Sequence, residues 1–375
     1  MKQRGNTTSK VKLGLAGESD EPDLRAFTKD AEMEGSIRIS FSREPNFFKS
    51  LEREGHHHEV IIGRDAVTNE VAGYGCLSLK NVFIEGKTSL IGYMSQLRVG
   101  KKWRQSTALN RAFQLFQEEI QSHKVTTCFT SILEGNHKAR KTLEANHRHK
   151  PDYHNAGRYT TFSVNPARIK FPSSLKTGHT YRRAVEQDVK EIHSFLNCEG
   201  KLRSFFPCYS VEDLRSTEGL LSGLRLEDII VAEKSGQICG VLGLWNQSHC
   251  RQVTITGYNS RFTRPLYNIY ASCTRRPLLP AAGNTLNPIY LSPFVVKRGE
   301  PDLFAGLLRN ACDSLHHSSS LAMFGLHQND PHYDYALRLA SHQLHSRFYI
   351  IDGCTPVDTE KLINRSIPYF ELGAL

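Results

Sequence analysis

The sequence QLRVGKKWRQSTA (residues 96–108) decides the fold. It begins with the end of an apolar strand at Leu97-Arg98-Val99, continues as a basic connection, and leads into an amphipathic helix near Thr107. The first backbone N–H groups of a helix have no partner inside the helix, and the helix dipole makes this end positive. With lysine and arginine in the preceding loop, the pattern predicts an anion site suited to a pyrophosphate.

A second polar element follows one strand later. Residues 125–133 are an apolar, β-rich run that predicts a buried strand. The sequence Glu134-Gly135-Asn136 then leads into a short predicted helix over residues 136–144. Asn136 is a suitable helix cap, and its amide can also meet a ligand that lies between the two strands.

The helix after the basic connection has a clear apolar face. Leu109, Phe113, Phe116 and Ile120 recur at spacings of 4, 3 and 4, which is one side of a 3.6-residue period. The same spacings return much later in the chain, at Phe304, Leu308, Ala311 and Leu315.

Strands and helices are predicted in the same order in both halves of the chain, which indicates a repeated architecture. Strands at 59–63, 71–80 and 89–99 form a predicted antiparallel meander, and a strand at 159–164 closes the first half. A strand at 348–351 closes the second half. Residues 259–287 have no counterpart in the first half, so we interpret them as an insertion or long loop.

These patterns divide the chain into two predicted domains. Residues 1–168 form the first domain, residues 169–178 are a linker, and residues 179–375 form the second. A length of 375 residues agrees with this division, because domains usually have about 100–200 residues.

The first domain resembles the GNAT superfamily of N-acetyltransferases. Leu97, Val99, Trp103 and Arg104 match that family's apolar-x-Val strand end and its aromatic-Arg pair, whereas the glycines that usually follow are absent. Asn136 and Ala139 resemble the family's Asn-x-x-Ala helix start. The resemblance implies an α/β (α+β) fold of two GNAT-like domains in tandem, each a mixed, mostly antiparallel twisted sheet flanked by helices.

The resemblance also implies acetyl-CoA as co-substrate and an active site in the first domain. The pantetheine arm is expected to pair with the strand end as an added strand does, and the pyrophosphate is expected at the helix start. The expected cofactor-binding residues are Leu97, Arg98, Val99, Arg104, Gln105, Ser106, Thr107, Ala108, Asn136 and Ala139.

The reaction implied by the resemblance is direct attack of an amine on the thioester, helped by a base and an acid. The family's usual acid is a tyrosine seven residues after the asparagine, a place held here by Leu143. We therefore name Tyr153 or Tyr159 as the candidate acid and Glu134, at a strand end beside the cleft, as the candidate base.

The second domain is predicted to be degenerate, because Glu300 and Asp302 stand where a pyrophosphate would bind. We expect it to shape the acceptor site or stabilise the first domain. Two other functions stay open. One is a non-catalytic protein that senses CoA or binds a partner. The other is an aminoacyltransferase of the FemABX kind, which also pairs two GNAT-like domains.

The composition limits the classes of ligand and partner that we expect for this protein. The net charge of +10 favours anionic ligands, but aromatic residues are not interleaved with the basic stretch as single-stranded nucleic acid requires. We expect a small-molecule or peptide amine acceptor, no nucleic acid and no membrane partner. Nine scattered cysteines and an N-terminus without a secretory signal predict a cytoplasmic protein. The triplet His56-His57-His58 has no second cluster at ligand spacing, so no metal site is predicted.

Overall fold

A computed structural model describes residues 11–32, 36–104, 107–145, 150–172, 178–216, 218–274, 278–316, 321–354 and 358–375. The first half contains strands β1 (Val11–Leu15), β2 (Ile37–Ser42), β3 (His57–Asp65), β4 (Val71–Ile84), β5 (Lys87–Val99), β6 (Thr127–Leu133) and β7 (Tyr153–Val164), and helices α1 (Glu21–Asp30), α2 (Ala108–Ser122) and α3 (His137–Glu144).

The second half has more short elements. Its strands are β8 (Thr180–Arg183), β9 (Arg203–Ser204), β10 (Phe206–Pro207), β11 (Ile229–Lys234), β12 (Gln237–Asn246), β13 (Gln252–Tyr258), β14 (Thr285–Leu286), β15 (Ile289–Val296), β16 (Ala322–His327), β17 (His342–Asp352) and β18 (Ile367–Pro368). Its helices are α4 (Val189–Gly200), α5 (Val211–Arg215), α6 (Thr263–Thr274), α7 (Pro301–Leu315), α8 (Tyr333–Leu339) and α9 (Thr359–Asn364).

A large sheet runs through both halves, and its path is β1-β3-β4-β5-β6-β17-β7-β16-β15-β12-β11-β8. Most neighbouring pairs are antiparallel, whereas β5 with β6 and β15 with β16 are parallel. Each half therefore supplies four antiparallel strands followed by one parallel strand, and the two sets meet at the centre of the sheet. The division into two tandem domains with a linker at residues 169–178 stays a prediction.

The final long strand of each half pairs with strands of the other half. The end of the second half, β17, pairs with β6 from Ser346↔Leu133 to Asp352↔Thr127. The end of the first half, β7, pairs with β16 from Ala322↔Val164 to His327↔Tyr159. Each half is thus completed by a strand of the other, so neither half retains its full sheet when it is cut from the chain.

Helix α2 covers one face of the first half. Phe113, Phe116 and Ile120 are buried in a core with strand residues such as Leu77 and Cys128. Full burial of each such side chain contributes about 1.5–3 kcal/mol, so this helix is fixed mainly by its apolar face. Helix α7 covers the second half in the same way through Leu303, Phe304, Leu307, Leu308 and Ala311.

The prediction for residues 259–287 was wrong in part. Three elements lie there or beside it: β13, α6 and β14. Strand β13 lies between β14 and β2 of the first half, in a separate three-stranded sheet. Strand β2 lies more than 200 residues before β13, so local sequence patterns carry no signal for the pairing of these two strands.

Candidate active site

The parallel ladder between β5 and β6 is short. It has the pairs Ile91↔Thr127, Gly92↔Cys128 and Tyr93↔Phe129. The Thr130 hydroxyl then donates to the Met94 carbonyl at 2.7 Å. Beyond this point β5 pairs with β4 and β6 pairs with β17. The facing edges of residues 95–99 and 131–133 are therefore available to a ligand that enters between the strands.

A β-bulge bends β5 at the start of this opening. The register of β4 and β5 shifts between Tyr74 and Cys76, and Gln96 opposite has a left-handed φ of 56°. Bulges re-aim side chains and increase local twist. Strand β5 turns there, and Leu97 at the edge of the opening is 42% exposed.

The connection from β5 to α2 is anchored at Trp103, in a short 3-10 turn over Lys101–Trp103. The buried indole Nε1 donates to Asp65 Oδ2 at 3.1 Å. A Cβ on Gly100 would lie 2.8 Å from this ring, so the close approach requires glycine. The anchor fixes where α2 begins relative to the end of β5.

Arginine 104 lies at the rim between these two elements. The exposed Arg104 side chain donates from Nε to the Val99 carbonyl at 3.2 Å. No carboxylate pairs with it among the residues that the structure describes. Lys102 differs, because its Nζ lies 3.6 Å from Asp65 and 3.9 Å from Glu70. Arg104 is the better-placed cation for an anionic ligand.

Among the described residues, no side chain caps the start of helix α2. Thr107 is the N-cap residue and its hydroxyl makes no capping hydrogen bond. The N–H groups of Leu109 and Asn110 belong to the first turn, where helices lack internal acceptors. They form a positive end next to Arg104. Gln105 and Ser106, also predicted to bind the cofactor, lie outside the described residues.

The opposite rim is formed by the start of α3. Asn136 is exposed, and its Oδ1 accepts from the Ala139 N–H at 3.1 Å. The predicted capping role is confirmed. Leu143 is 7% exposed and packs in the core under α2, so this position presents an apolar side chain to the protein interior.

The candidate base Glu134 directly follows β6, at the wide end of the opening. Its carboxylate accepts from Arg158 Nε at 2.9 Å and lies 3.6 Å from Arg347 Nη2. The hydrogen bond and charge of Arg158 lower the pKa of Glu134 below its usual value. This carboxylate therefore has a reduced proton affinity.

The two candidate acids are on β7, one on each side of the central sheet. Tyr153 packs near Tyr349 in the core below α2, and burial raises its pKa. Tyr159 is 2% exposed and donates to the Phe370 carbonyl at 2.9 Å. Burial raises the pKa of Tyr159 as well. The structure does not bring Glu134 and the two tyrosines into one hydrogen-bonded group.

A buried ion pair lies behind the bulge, on the sheet face opposite α2. Glu54 is fully buried and accepts from Arg43 Nη2 at 2.8 Å. Its second oxygen accepts from the Ser95 hydroxyl at 2.6 Å. Burial alone raises the pKa of Glu54, but Arg43 and Ser95 outweigh burial, so the pKa lies below its usual value. The hydrogen bond to Glu54 thus orients the side chain of Ser95, which is the first residue of the opening.

A second buried polar group lies on the same face. The Lys80 ammonium lies 5.6 Å from the centre of the Phe129 ring and 6.0 Å from that of Tyr93. Burial lowers the pKa of Lys80 from 10.5 to about 8. Glu371 accepts hydrogen bonds from Tyr209 and Tyr369 at 2.7 and 2.9 Å. Burial raises the pKa of Glu371 from 4.5 to about 7.

We predict that replacing Glu371 with glutamine changes the pH dependence of stability. The raised pKa of Glu371 stabilises the folded chain below pH 4.5, and this contribution is lost as the pH rises towards 7. The glutamine side chain of the variant does not titrate. The Tm difference, variant minus wild type, should rise between pH 4.5 and 7 in thermal melts. A constant difference would show that Glu371 titrates normally.

The sequence alone does not reveal this polar interior. Ser78 and Lys80 alternate with apolar residues on β4, so one polar strand face was visible. Their partners come from distant segments: Glu54 precedes β3, and Glu371 lies near the end of the chain. No periodicity connects such segments.

The second half has a corresponding short parallel ladder, with pairs Ile289↔Ala322 and Tyr290↔Met323. The C-terminal 3-10 turn (Leu372–Ala374) packs against β15, and the Gly373 N–H donates to the Ser292 hydroxyl at 3.1 Å. At the start of α7, Glu300 pairs with Lys234 at 2.8 Å. The C-terminal turn thus packs beside this second ladder, and the start of α7 carries a carboxylate.

A GNAT-like fold is defined by these features: a mixed, mostly antiparallel twisted sheet, a short parallel pair that opens, and a helix that begins at its rim. The predicted fold class is confirmed. No protein-family profile and no curated protein sequence matches the chain. Among the described helices, none is both long and apolar enough to cross a membrane.

Solved structures have the same fold. Saccharomyces cerevisiae N-myristoyltransferase with bound myristoyl-CoA superposes with a TM-score of 0.59 at 12% identity, over 92% of this chain and 83% of that chain. A GCN5-related glucosamine N-acetyltransferase region, in a fungal multi-domain GH3 beta-N-acetylglucosaminidase, gives a TM-score of 0.60 at 12% identity over 91% of this chain and 38% of that chain. At these identities the likeness concerns the fold.

Proposed function

We propose that this protein is an acyl-CoA-dependent N-acyltransferase whose active site lies in the first half. The observation that carries the proposal is the opening between β5 and β6, with the uncapped start of α2 and Arg104 at its rim. Both neighbours named above are N-acyltransferases by description, and one was solved with an acyl-CoA.

The cofactor would bind in three parts. The amides of the pantetheine arm would pair with the edge of Leu97, Arg98 and Val99 that faces the opening, in the manner of an added strand. The pyrophosphate would lie at the start of α2, beside Thr107 and Ala108, and would accept from Arg104. Gln105 and Ser106 remain part of the predicted set. Asn136 and Ala139 would contact the arm from the other rim.

We propose acetyl as the transferred group, because the narrow end of the opening is filled. The rings of Tyr93 and Phe129 stack at 4.6 Å between centroids, and Phe348 and Phe370 pack against Phe129 at 6.0 and 5.3 Å. All four side chains are buried. On the other face, a Cβ on Gly92 would lie 2.6 Å from Cys128 Sγ. We infer that this packing favours a short acyl group over a long chain.

The acceptor amine would approach from the face opposite α2, where the buried polar groups lie. In the reaction its nitrogen attacks the thioester carbonyl carbon, the C–S bond breaks, and the nitrogen loses a proton while the CoA thiolate gains one. Positioning supplies much of the rate in such a transfer. We propose a small molecule or a peptide as the acceptor.

Proton transfer requires a base for the amine and an acid for the thiolate. Glu134, Tyr153 and Tyr159 remain the candidates from the sequence. A base works best when its pKa lies near the working pH. By this criterion Glu371, with a pKa of about 7, and Lys80, with a pKa of about 8, are better matched than Glu134. We propose them as additional candidates.

Calorimetric titration of the full chain with acetyl-CoA tests the proposal. We expect micromolar binding, weakened in Arg104→Ala by about 1–3 kcal/mol, the cost of a lost charged hydrogen bond. The matched control is Arg261→Ala, which removes an exposed arginine far away in sequence, and it should bind as the wild type does. No binding at millimolar acetyl-CoA would refute the proposal.

A non-catalytic CoA-binding protein is the second candidate, and one observation favours it. Leu143, at the place of the family's usual acid, is buried in the core. Release of free CoA in the presence of a panel of amines separates the two functions. Binding without turnover for any amine would favour the binding protein. An aminoacyltransferase of the FemABX kind would show neither binding nor turnover with acetyl-CoA.

A further inference from the structure

Strand β3 begins with alternating ligand-type side chains. His57 and Glu59 are two residues apart, so they lie on the same face of the strand. His58 between them points to the other face, where its Nδ1 lies 3.2 Å from the Ser78 hydroxyl. The triplet of histidines in the sequence is thus divided between two faces, and only one member joins Glu59.

Helix α2 ends above this pair. His123 is its C-cap residue, and Lys124 follows with a left-handed φ of 55°. Glu119 is one helical turn earlier, on the same side as His123. The chain therefore brings a second histidine and a second carboxylate from a separate element to the start of β3.

The donor atoms of these side chains converge. Glu59 Oε1 lies 2.8 Å from His57 Nε2 and 3.6 Å from His123 Nε2. One ligand atom from each of the three residues lies within 4.8 Å of the other two. In a tetrahedral zinc site with bonds of about 2.0–2.1 Å, ligand atoms are about 3.3 Å apart. The observed distances bracket that value.

The charges at this cluster are unbalanced. Glu59 pairs only with His57 and His123, and Glu119 only with His123, at 4.0 Å, among the residues that the structure describes. No lysine or arginine in those ranges forms an ion pair with either carboxylate. A divalent cation bound by the two imidazoles would neutralise the two negative charges.

We propose that His57, Glu59 and His123 form a transition-metal site that takes zinc, with Glu119 or water as the fourth ligand. Two imidazoles and a carboxylate are a ligand set that zinc prefers. The metal would tie the end of α2 to β3, away from the helix start that carries the proposed pyrophosphate site. The proposal is independent of the proposed enzymatic function.

The test uses the full chain, treated with EDTA, dialysed and free of any affinity tag. Zinc chloride is titrated by calorimetry, and Tm is recorded with and without zinc. We expect one zinc per chain at micromolar affinity and a higher Tm. His57→Gln and His123→Gln should each lower the affinity at least tenfold.

The control is His56→Gln, since His56 is exposed, adjacent and outside the cluster. It should change the affinity less than twofold. Cobalt(II) gives a second readout, because tetrahedral coordination produces an intense visible band that both cluster variants should lose. Failure to bind zinc at 100 µM (roughly a hundredfold above micromolar affinity), an equal loss in the control, or a loss in only one cluster variant would overturn the proposal.

Discussion

Replacing Thr107 with aspartate should abolish most acyl-CoA binding while leaving the fold intact. The new carboxylate would lie at the uncapped start of α2, accept hydrogen bonds from the first-turn N–H groups and repel the pyrophosphate that they are proposed to hold. We expect a loss of about 100-fold in acetyl-CoA affinity, or ~2.7 kcal/mol. Helix stability should rise by up to ~1 kcal/mol, because aspartate is a favourable cap.

The matched control is Thr107→Asn, which caps the helix without adding charge. It should stabilise α2 similarly and reduce the affinity much less than aspartate does. Calorimetry and thermal melts measure the two effects separately. Equal affinities of the aspartate variant and the wild type would place the pyrophosphate somewhere other than the start of α2.

Replacing Glu54 with alanine should cause the largest loss of stability. Arg43 is 4% exposed and Glu54 is its buried partner, so the variant leaves a positive charge in the interior. Removing one member of a buried ion pair typically costs about 3–5 kcal/mol. The Ser95 hydroxyl also loses its acceptor. Urea denaturation followed by circular dichroism measures the change in the free energy of unfolding.

Two further variants make this result interpretable. Glu227→Ala removes an exposed partner of Arg225 and should leave the unfolding curve unchanged. The double variant Arg43→Met with Glu54→Leu should recover much of the loss, because buried ion pairs are often replaceable by apolar residues. A loss in Glu54→Ala no larger than in the surface control would show that Arg43 reaches solvent.

The local parts of the fold were predictable from the sequence. The strand end at Val99, the amphipathic face of α2 and the cap at Asn136 depend on residues close in the chain, and the structure has all three. The exchange of β7 and β17 was not predictable, because the predicted halves have similar final strands and either partner satisfies the same apolar pattern.

The exchange of β7 and β17 also limits what an isolated fragment of the second half can show. A fragment of residues 178–375 lacks β7, which pairs with β16 and β17 in the full chain. Such a fragment would lose a central strand, so its failure to bind acetyl-CoA would be uninformative. The full chain with substitutions at one helix start is the better material.

The candidate site was likewise predictable only where its residues are close together in the sequence. The rim residues, Arg104 and Thr107, follow from a loop and a helix start that are continuous in sequence. The polar interior at Glu54, Lys80 and Glu371 is built from three distant segments, and the His57–Glu59–His123 cluster from two. Only the tertiary structure shows these groups together.

Hydrogen–deuterium exchange of the full chain with and without acetyl-CoA can locate the bound cofactor on the chain. Amides that pair with the ligand exchange more slowly when it is bound. We expect protection at residues 95–99 and 107–110, and none at the corresponding residues of the second half, 292–296 and 301–304. Protection at the second-half residues, or none at either site at saturating acetyl-CoA, would contradict this expectation.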